Sequence, residues 1–261
     1  MNAPVEIHPT ALVDPGACLG AGTRVGAFSV VGPAVTLGPE CIVFPHVVLE
    51  GPSSFGPRNR FFPFACLGLE PQDLKYAGER TSLEVGEGNT FRESVTVHRG
   101  TAGGGGVTRI GSGGLFMAGT HVAHDCQVGD RTIFANAATL AGHVTVEDGA
   151  TIGAFSGVHQ FCRVGRHAYI GGYSVVTQDA LPYVLTVGNR ARAYGINVIG
   201  LERKGFSPES IQALKKAYRI LFRSHLAIEE SLETLRGEPG GQPEVDTLVA
   251  FIRSSQRGVI R

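Results

Sequence analysis

The stretch IGSGGLFMAGTHVAHDCQVGDRTIFANAATLAGHVTV, residues 110–146, carries an aliphatic or phenylalanine residue at every sixth position: Ile110, Phe116, Val122, Val128, Phe134, Leu140 and Val146. The beat continues through Ile152, Val158, Val164 and Ile170 to Val176. Toward the N-terminus it reappears at Val85, Phe91 and Val97, and at each sixth residue from Ile7 to Leu67. These are 26 positions in a chain of 261 residues that is only 43% hydrophobic, so composition does not generate the pattern. Four residues after most of them sits a small side chain, as at Ala11, Ala17, Thr23, Ser29, Cys41, Ala65, Cys126, Ala138, Ala150, Ser156, Cys162 and Ala168. Asn59 and Asn89 are the looser members.

One large and one small inward position per six residues suits a chain that runs along a flat side, turns and repeats. Three sides close a triangular coil of about 18 residues, so the pattern predicts a mostly β fold, a parallel β-helix of hexapeptide repeats. Coils stacked at the parallel-strand spacing make about nine layers in a prism on the order of 40 Å long. Left-handed winding, against the usual crossover rule, is what resemblance to hexapeptide-repeat proteins implies. Two interruptions break the beat: DLKYAGERTSLE, residues 73–84, which preserves phase, and GGGGVTR, residues 103–109, which shifts it by one. The glycine run lacks the strand-then-helix setting of a phosphate loop. Such departures from a regular scaffold are where function concentrates.

Beyond Val176 the pattern fades. Ser207 followed by Pro208 and Glu209 is a helix start, and Ile211, Leu214, Tyr218, Leu221 and Phe222 hold helical spacing. Amphipathic stretches around Ile228–Leu235 and Val245–Ile252 follow, separated by the loop GEPGGQP, residues 237–243. The expected organisation is a β-helix over 1–190 and a C-terminal α-helical domain over 191–261.

Composition narrows the function classes. Basic and acidic residues number 23 each, so no global field calls for nucleic acid or an anionic membrane. No apolar run approaches the roughly 20 residues of a membrane-spanning helix. The start, MNAPVEIHPTALV, lacks the basic and apolar regions of a secretory signal, and the expected location is cytoplasmic. Five cysteines without a CxxC pair fit free thiols in a reducing compartment. Those at small inward positions, Cys126 included, read as core filler.

HVAHDC, residues 121–126, is the densest chemistry in the chain. Residues 18 apart stack, so Gly142 lies over His124 and Gln160 two coils over it. His121, His124, His143 and His159 then fall in three consecutive coils. Three readings stay open on these residues alone. His124 could take a proton from a hydroxyl, oriented by Asp125, with the Gly142 N–H stabilising an oxyanion. Imidazoles could hold zinc. Or the histidines could be solvated ornaments on a structural prism.

QDLKYAGE, RESVTVHRGT, HVAHDCQVG, LAGHVTVED, VHQFCRVG and GFSPESI, in this order, strongly resemble the UDP-N-acetylglucosamine 3-O-acyltransferases that open lipid A synthesis. The likeness spans essentially the whole chain. It implies transfer of a (3-hydroxy)acyl chain from acyl carrier protein to the sugar 3-hydroxyl, in a homotrimer with sites between subunits. It also implies no cofactor, no metal and no covalent enzyme intermediate. The carbonic anhydrases on the same repeat space their histidines five apart on one coil, whereas His121 and His124 are three apart. Position by position, the resemblance makes His124 the general base, Asp125 its partner and Gly142 the amide facing the thioester carbonyl. Asp73, Lys75, His121, His143, His159 and Gln160 become substrate contacts. In NVIGLERKG, Asn197, Arg203 and Lys204 match positions that meet the diphosphate or the carrier protein. Tyr169 and Gly172 fall where the family gauges acyl length. Ile199 stands where the pattern has a glutamate at the nucleotide end, and Arg190 where a histidine is common. Acylation of an amine on a diamino-sugar version of the nucleotide is the neighbouring alternative, and QDLKYAGE argues against the glucosamine N-acyltransferase sister family.

Overall fold

The computed structural model describes residues 3–224, 227–236 and 242–261. The expected loop GEPGGQP lies outside them except for Gln242 and Pro243, and Met1 and Asn2 also lie outside. Among the described residues, short strands assemble into three sheets of 11, 9 and 8 strands that form the sides of a prism. Strands pair in parallel with the strand one coil away, as in Glu6 with Arg24, His121 with Thr139 and Gln127 with Thr145. Each of these pairs is offset by 18 residues, the coil length set by the hexad.

The large inward positions are buried without exception from Val25 to Val176. Ile7 is exposed and Val13 and Leu19 only half-buried, because the first coil has a neighbour on one side only. Inside the prism, Phe61, Phe91, Phe116 and Phe134 form a column of stacked rings with centroids 5.5, 4.8 and 4.9 Å apart. The buried amides of Asn59 and Asn89 satisfy themselves on the coil backbones: Asn59 Nδ2 donates to the Gly56 and Gly86 carbonyls, and its Oδ1 accepts from Asn89 N. The looser small positions are therefore polar ladders. Cys41, Cys126 and Cys162 are buried at small positions, and burial pushes the thiols of Cys126 and Cys162 up to about 12 and about 11.

Both interruptions begin and end a few residues earlier than the hexad count suggests. Ser82–Val85 is already strand, paired with Ser53–Phe55, and Val107–Ile110 is strand paired with Ser82–Val85. The loops proper are 70–81 and 99–106. Their closing residues are drawn into the third sheet because a parallel ladder gains a hydrogen bond for every residue it recruits. Across the first loop the coil offset becomes Cys66 with Thr96, and across the second Thr96 with His121.

The last coil is closed by the rest of the chain. Val184–Val187 joins the first sheet and Arg192–Ile196 returns antiparallel beside it. Among the described residues four helices follow: α1 (Val198–Arg203), α2 (Pro208–Arg223), α3 (Ile228–Arg236) and α4 (Pro243–Arg253). Ser207 caps α2 by accepting from Ser210 N at 3.1 Å, as a Ser-Pro start requires. Ile211, Leu214, Tyr218 and Leu221 are buried, and Phe222 packs at the edge of the same cluster. Tyr218 Oη donates to the Ala193 carbonyl at 2.9 Å, and Ile260 returns to the prism core with its N–H on the Asp179 carbonyl. Helix α1 is not expected from the sequence; it is one short turn-and-a-half stabilised by the Asn197 side chain at its N-terminus.

The phenylalanine column makes a stability prediction. Phe116→Ala removes a fully buried ring stacked on both sides, and is expected to lower folding stability by about 3–5 kcal/mol, read as a fall in the denaturant midpoint at unchanged slope.

Candidate active site

His124 and Asp125 sit in the turn between the strands His121–Val122 and Gln127–Val128, where the second sheet meets the third. Asp125 adopts a left-handed backbone conformation, φ 61°, as do His143 (φ 62°) and Phe161 (φ 63°) one and two coils on. A non-glycine residue is costly there. Here the three form one vertical column: His143 stacks on Phe161 with centroids 4.4 Å apart, and its Nε2 lies 3.8 Å from Asp125 Oδ2. The turn projects these side chains outward from the corner.

Asp125 is 4% exposed, yet its carboxylate is well served. His124 Nδ1 donates to Oδ2 at 2.8 Å, since an ionised carboxylate only accepts. Thr101 N donates to Oδ1 at 2.8 Å and Thr101 Oγ1 to Oδ2 at 2.6 Å. The Asp125 N–H donates to Thr108 Oγ1 at 2.8 Å. With the proton on Nδ1, His124 Nε2 is left with its lone pair and can act as a base.

That nitrogen lies over Gly142. A Cβ built on Gly142 would fall 2.5 Å from His124 Cε1 and 2.8 Å from Nε2, so the imidazole occupies space only a glycine leaves. The Gly142 N–H takes no backbone partner in its turn, as is general at this point of the repeat. Gly142 differs in having no side chain over that donor.

The neighbouring histidines are graded by burial. His121 Nδ1 is 2.8 Å from Thr96 Oγ1, and burial, helped by the nearby His124, holds its pKa below the usual histidine range. His98, 7% exposed and edge-on to His121 at 5.1 Å, is pushed down to about 4 by burial, with His121, His124 and Arg99 adding to the shift. Arg99 donates to the Gly51 and Gly68 carbonyls and to Tyr76 Oη, which ties the QDLKYAGE loop to this corner. In that loop Asp73 is half-buried and accepts from Lys75 N at 3.0 Å, while Lys75 is exposed. His159 and Gln160 are exposed on the coil beyond Gly142. His98, Arg99, Thr96, Thr101 and Thr108 are absent from the sequence reading of the site. Counting the pairing of Thr96 with His121 across the second loop, instead of 18, would have found them.

The ligating atoms of His124, Asp125 and His143 lie within 4.8 Å of one another. A cation there would compete with Thr101 and with the Nδ1 proton of His124 for the same carboxylate oxygens, so the donor set is built for a hydrogen-bonded pair.

The other expected residues stand elsewhere on the chain. Asn197 caps α1 through Oδ1 on Gly200 N and donates Nδ2 to the His167 carbonyl. Lys204 Nζ donates to the Gly149 carbonyl and lies 3.3 Å from His167 Nδ1. Burial, then Lys204, Arg166 and Arg131, push His167 down to about 4. Gly149 and His167 belong to the corner between the third and first sheets, and Arg203 is exposed at the end of α1. Gly172 and Tyr169, both exposed, lie at or beside the corner between the first and second sheets. The fold of one chain thus collects His121, His124, Asp125, Gly142 and His143, and leaves Asn197, Arg203, Lys204, Tyr169 and Gly172 on different corners. A groove of about 680 Å³ on the third sheet is lined by residues including Glu84, Arg109, Gln127 and Arg166. Its Arg109–Glu84 ion pair is self-satisfied, so we place the chemistry at the histidine corner.

A prism of hexads with a histidine, its carboxylate partner and an open amide at one corner is the architecture of the hexapeptide-repeat transferases. A family described as bacterial transferase hexapeptide (six repeats) matches residues 143–178, and UDP N-acetylglucosamine O-acyltransferase, domain 2, matches residues 179–260. An acyl-[acyl-carrier-protein]--UDP-N-acetylglucosamine O-acyltransferase of Myxococcus xanthus is 53% identical over 98% of this chain and 99% of its own. One from an Anaeromyxobacter species is 54% identical over 73% of this chain and 74% of its own. The crystal structure of the UDP-N-acetylglucosamine O-acyltransferase of Moraxella catarrhalis superposes with a TM-score of 0.94 at 41% identity, covering 98% of this chain and 99% of that one. The chain belongs to the UDP-N-acetylglucosamine O-acyltransferase family, and its prism is accordingly a left-handed β-helix.

Two predictions follow from the geometry. Gly142→Ala pushes the His124 ring off its seat while leaving the coil intact, and is expected to cut turnover about 100-fold with an unchanged circular dichroism spectrum. His98 is held neutral in the fold down to about pH 4, whereas an unfolded histidine takes its proton near 6.5. The unfolded state therefore binds more protons between those values, and stability rises with pH across that window. His98→Gln is expected to flatten the slope of unfolding free energy between pH 4 and 6.5 relative to wild type.

Proposed function

We infer that this protein transfers an acyl chain, of the (3-hydroxy)acyl type, from the thioester of acyl carrier protein to the 3-hydroxyl of UDP-N-acetylglucosamine, the first step of lipid A synthesis. The observation that carries the catalytic part is the His124–Asp125 pair seated against Gly142. His124 Nε2 removes the proton of the sugar hydroxyl as its oxygen attacks the thioester carbonyl carbon. The Gly142 N–H takes the charge that develops on the carbonyl oxygen. The tetrahedral intermediate then collapses, the C–S bond breaks, and the carrier thiol leaves with the proton held by His124. Asp125 supports the imidazolium in between. The chemistry uses no metal, no cofactor and no covalent enzyme intermediate.

Around that centre His121, His143, His159, Gln160, Asp73 and Lys75 contact substrate, with the lysine suited to a phosphate and the aspartate to sugar hydroxyls. The working unit is a homotrimer. What supports this is the placement of Asn197, Arg203 and Lys204 on a corner away from His124, with Tyr169 and Gly172 on a third, so that a second chain brings nucleotide, carrier and acyl contacts to the open cleft. Ile199, 64% exposed on α1, offers apolar surface and no carboxylate to the nucleotide end. Its five free thiols suit the cytoplasm, and among the described residues no helix is long and apolar enough to cross a membrane.

Incubation of the protein with acyl carrier proteins of varied chain length and UDP-N-acetylglucosamine, read by mass spectrometry, tests this reading. A nucleotide sugar carrying one added acyl group in ester linkage is expected, and His124→Ala is expected to abolish it. No acylated sugar with any donor, or a fully active His124→Ala variant, would sink the proposal.

A further inference from the structure

The glycine-rich interruption has no role in the chemistry above, yet it lies on the catalytic carboxylate. Residues 99–106 leave the second sheet after His98, fold through a short turn at Ala102–Gly104, and re-enter the third sheet at Val107. Within that loop Thr101, 7% exposed, places two donors on Asp125, its N–H on Oδ1 and its hydroxyl on Oδ2. Gly104 lies flat against the same carboxylate: an added Cβ would overlap Asp125 Cγ and both oxygens. Immediately downstream, Thr108 Oγ1 accepts the Asp125 N–H. One excursion thus fixes both the side chain and the backbone of Asp125.

We propose that Thr101 is a positioning residue, the clamp that makes Asp125 serve His124, and that Gly104 is what lets the loop close over the carboxylate. This rests on the reading of His124 as the base. Asp125 has two histidine neighbours, His124 Nδ1 at 2.8 Å and His143 Nε2 at 3.8 Å from the same oxygen. A carboxylate free to rotate could serve either. With one oxygen held by the Thr101 amide and the other by its hydroxyl, the geometry is locked on His124, and the proton stays on Nδ1.

The groups that face His124 are Asp125 beside it, His143 on the next coil, and His121 and His98 on the second sheet, with Arg99 behind them. Asp125 is the anion among these, so a change in its hydrogen bonding acts on His124 through it. Loss of the Thr101 hydroxyl removes one of the donors that hold that anion, and the acidic limb of kcat/KM is expected to move to higher pH.

The test is the pH–rate profile of wild type, Thr101→Val, Thr101→Ala and Thr101→Ser with acyl carrier protein donor and UDP-N-acetylglucosamine, alongside thermal unfolding. For Val and Ala, kcat is expected to fall about tenfold at nearly constant KM. The acidic limb is expected to move up on the order of half a unit, with Ser restoring both. Two variants differing in bulk keep the test alive if one does not fold. Variants that fold and keep the wild-type kcat and acidic limb overturn the clamp. So does a loss of activity that tracks the loss of thermal stability with no shift of the limb. A wild-type protein that acylates nothing defeats instead the underlying reading of His124 as the base of an acyl transfer.

Discussion

Parallel pairing between coils, each strand hydrogen-bonded to the one a coil away and 18 residues on wherever the repeat is unbroken, is the constraint on which the rest of the molecule depends. It places the same point of every turn in one column, so that a residue's chemistry is decided by what stands one coil above and below it. Gly142 matters because it stands over His124, and Asp125, His143 and Phe161 share a left-handed backbone position because they share a column. The core supplies the rigidity: stacked phenylalanines and aliphatic residues on the inside hold the corners fixed, and a site built on packed strands is more exact than one built on loops alone.

The site uses that rigidity and departs from it at one place. The carboxylate of Asp125 is buried by a loop that breaks the repeat, while the imidazole beside it keeps 14% of its side-chain surface open at the corner. Water is thereby kept from the carboxylate and can reach the proposed base. An open corner binds a large nucleotide sugar poorly, and the cationic and apolar contacts expected for substrate stand on the chain's other corners. On the proposed reading one molecule carries a catalytic edge and a binding edge, and association in a ring would bring one chain's catalytic edge to another's binding edge.

Much of this was legible in the sequence because the hexad is strict. The period gave the prism, the small positions, and the placement of Gly142 over His124 by counting alone. The count failed where the chain leaves the repeat. Thr96 and His98 lie across the second loop from His121, where the offset is no longer 18, and Thr101 lies within that loop, so their proximity to the site was hidden. Ser82–Glu84 and Val107–Arg109 read as loop because they lack the flanking beat, yet the ladder recruits them as strand. Helix α1 was missed because six residues carry too little periodicity, and its stability comes from a cap that is visible only once Asn197 is seen to accept from Gly200 N. That the aligned positions Asn197, Arg203 and Lys204 fall far from the base in the same chain could not be read from motif order at all.

The most direct test of this account is complementation between two inactive variants, His124→Ala and the double variant Arg203→Ala, Lys204→Ala, mixed through unfolding and reassembly. If the cleft takes its base from one chain and its cations from another, random mixing restores about a quarter of the sites, since each needs one intact edge from either kind of subunit. Recovery of activity on mixing, absent from each variant alone, is the result expected. A mixture no more active than its parts would show that base and cations do not meet between chains.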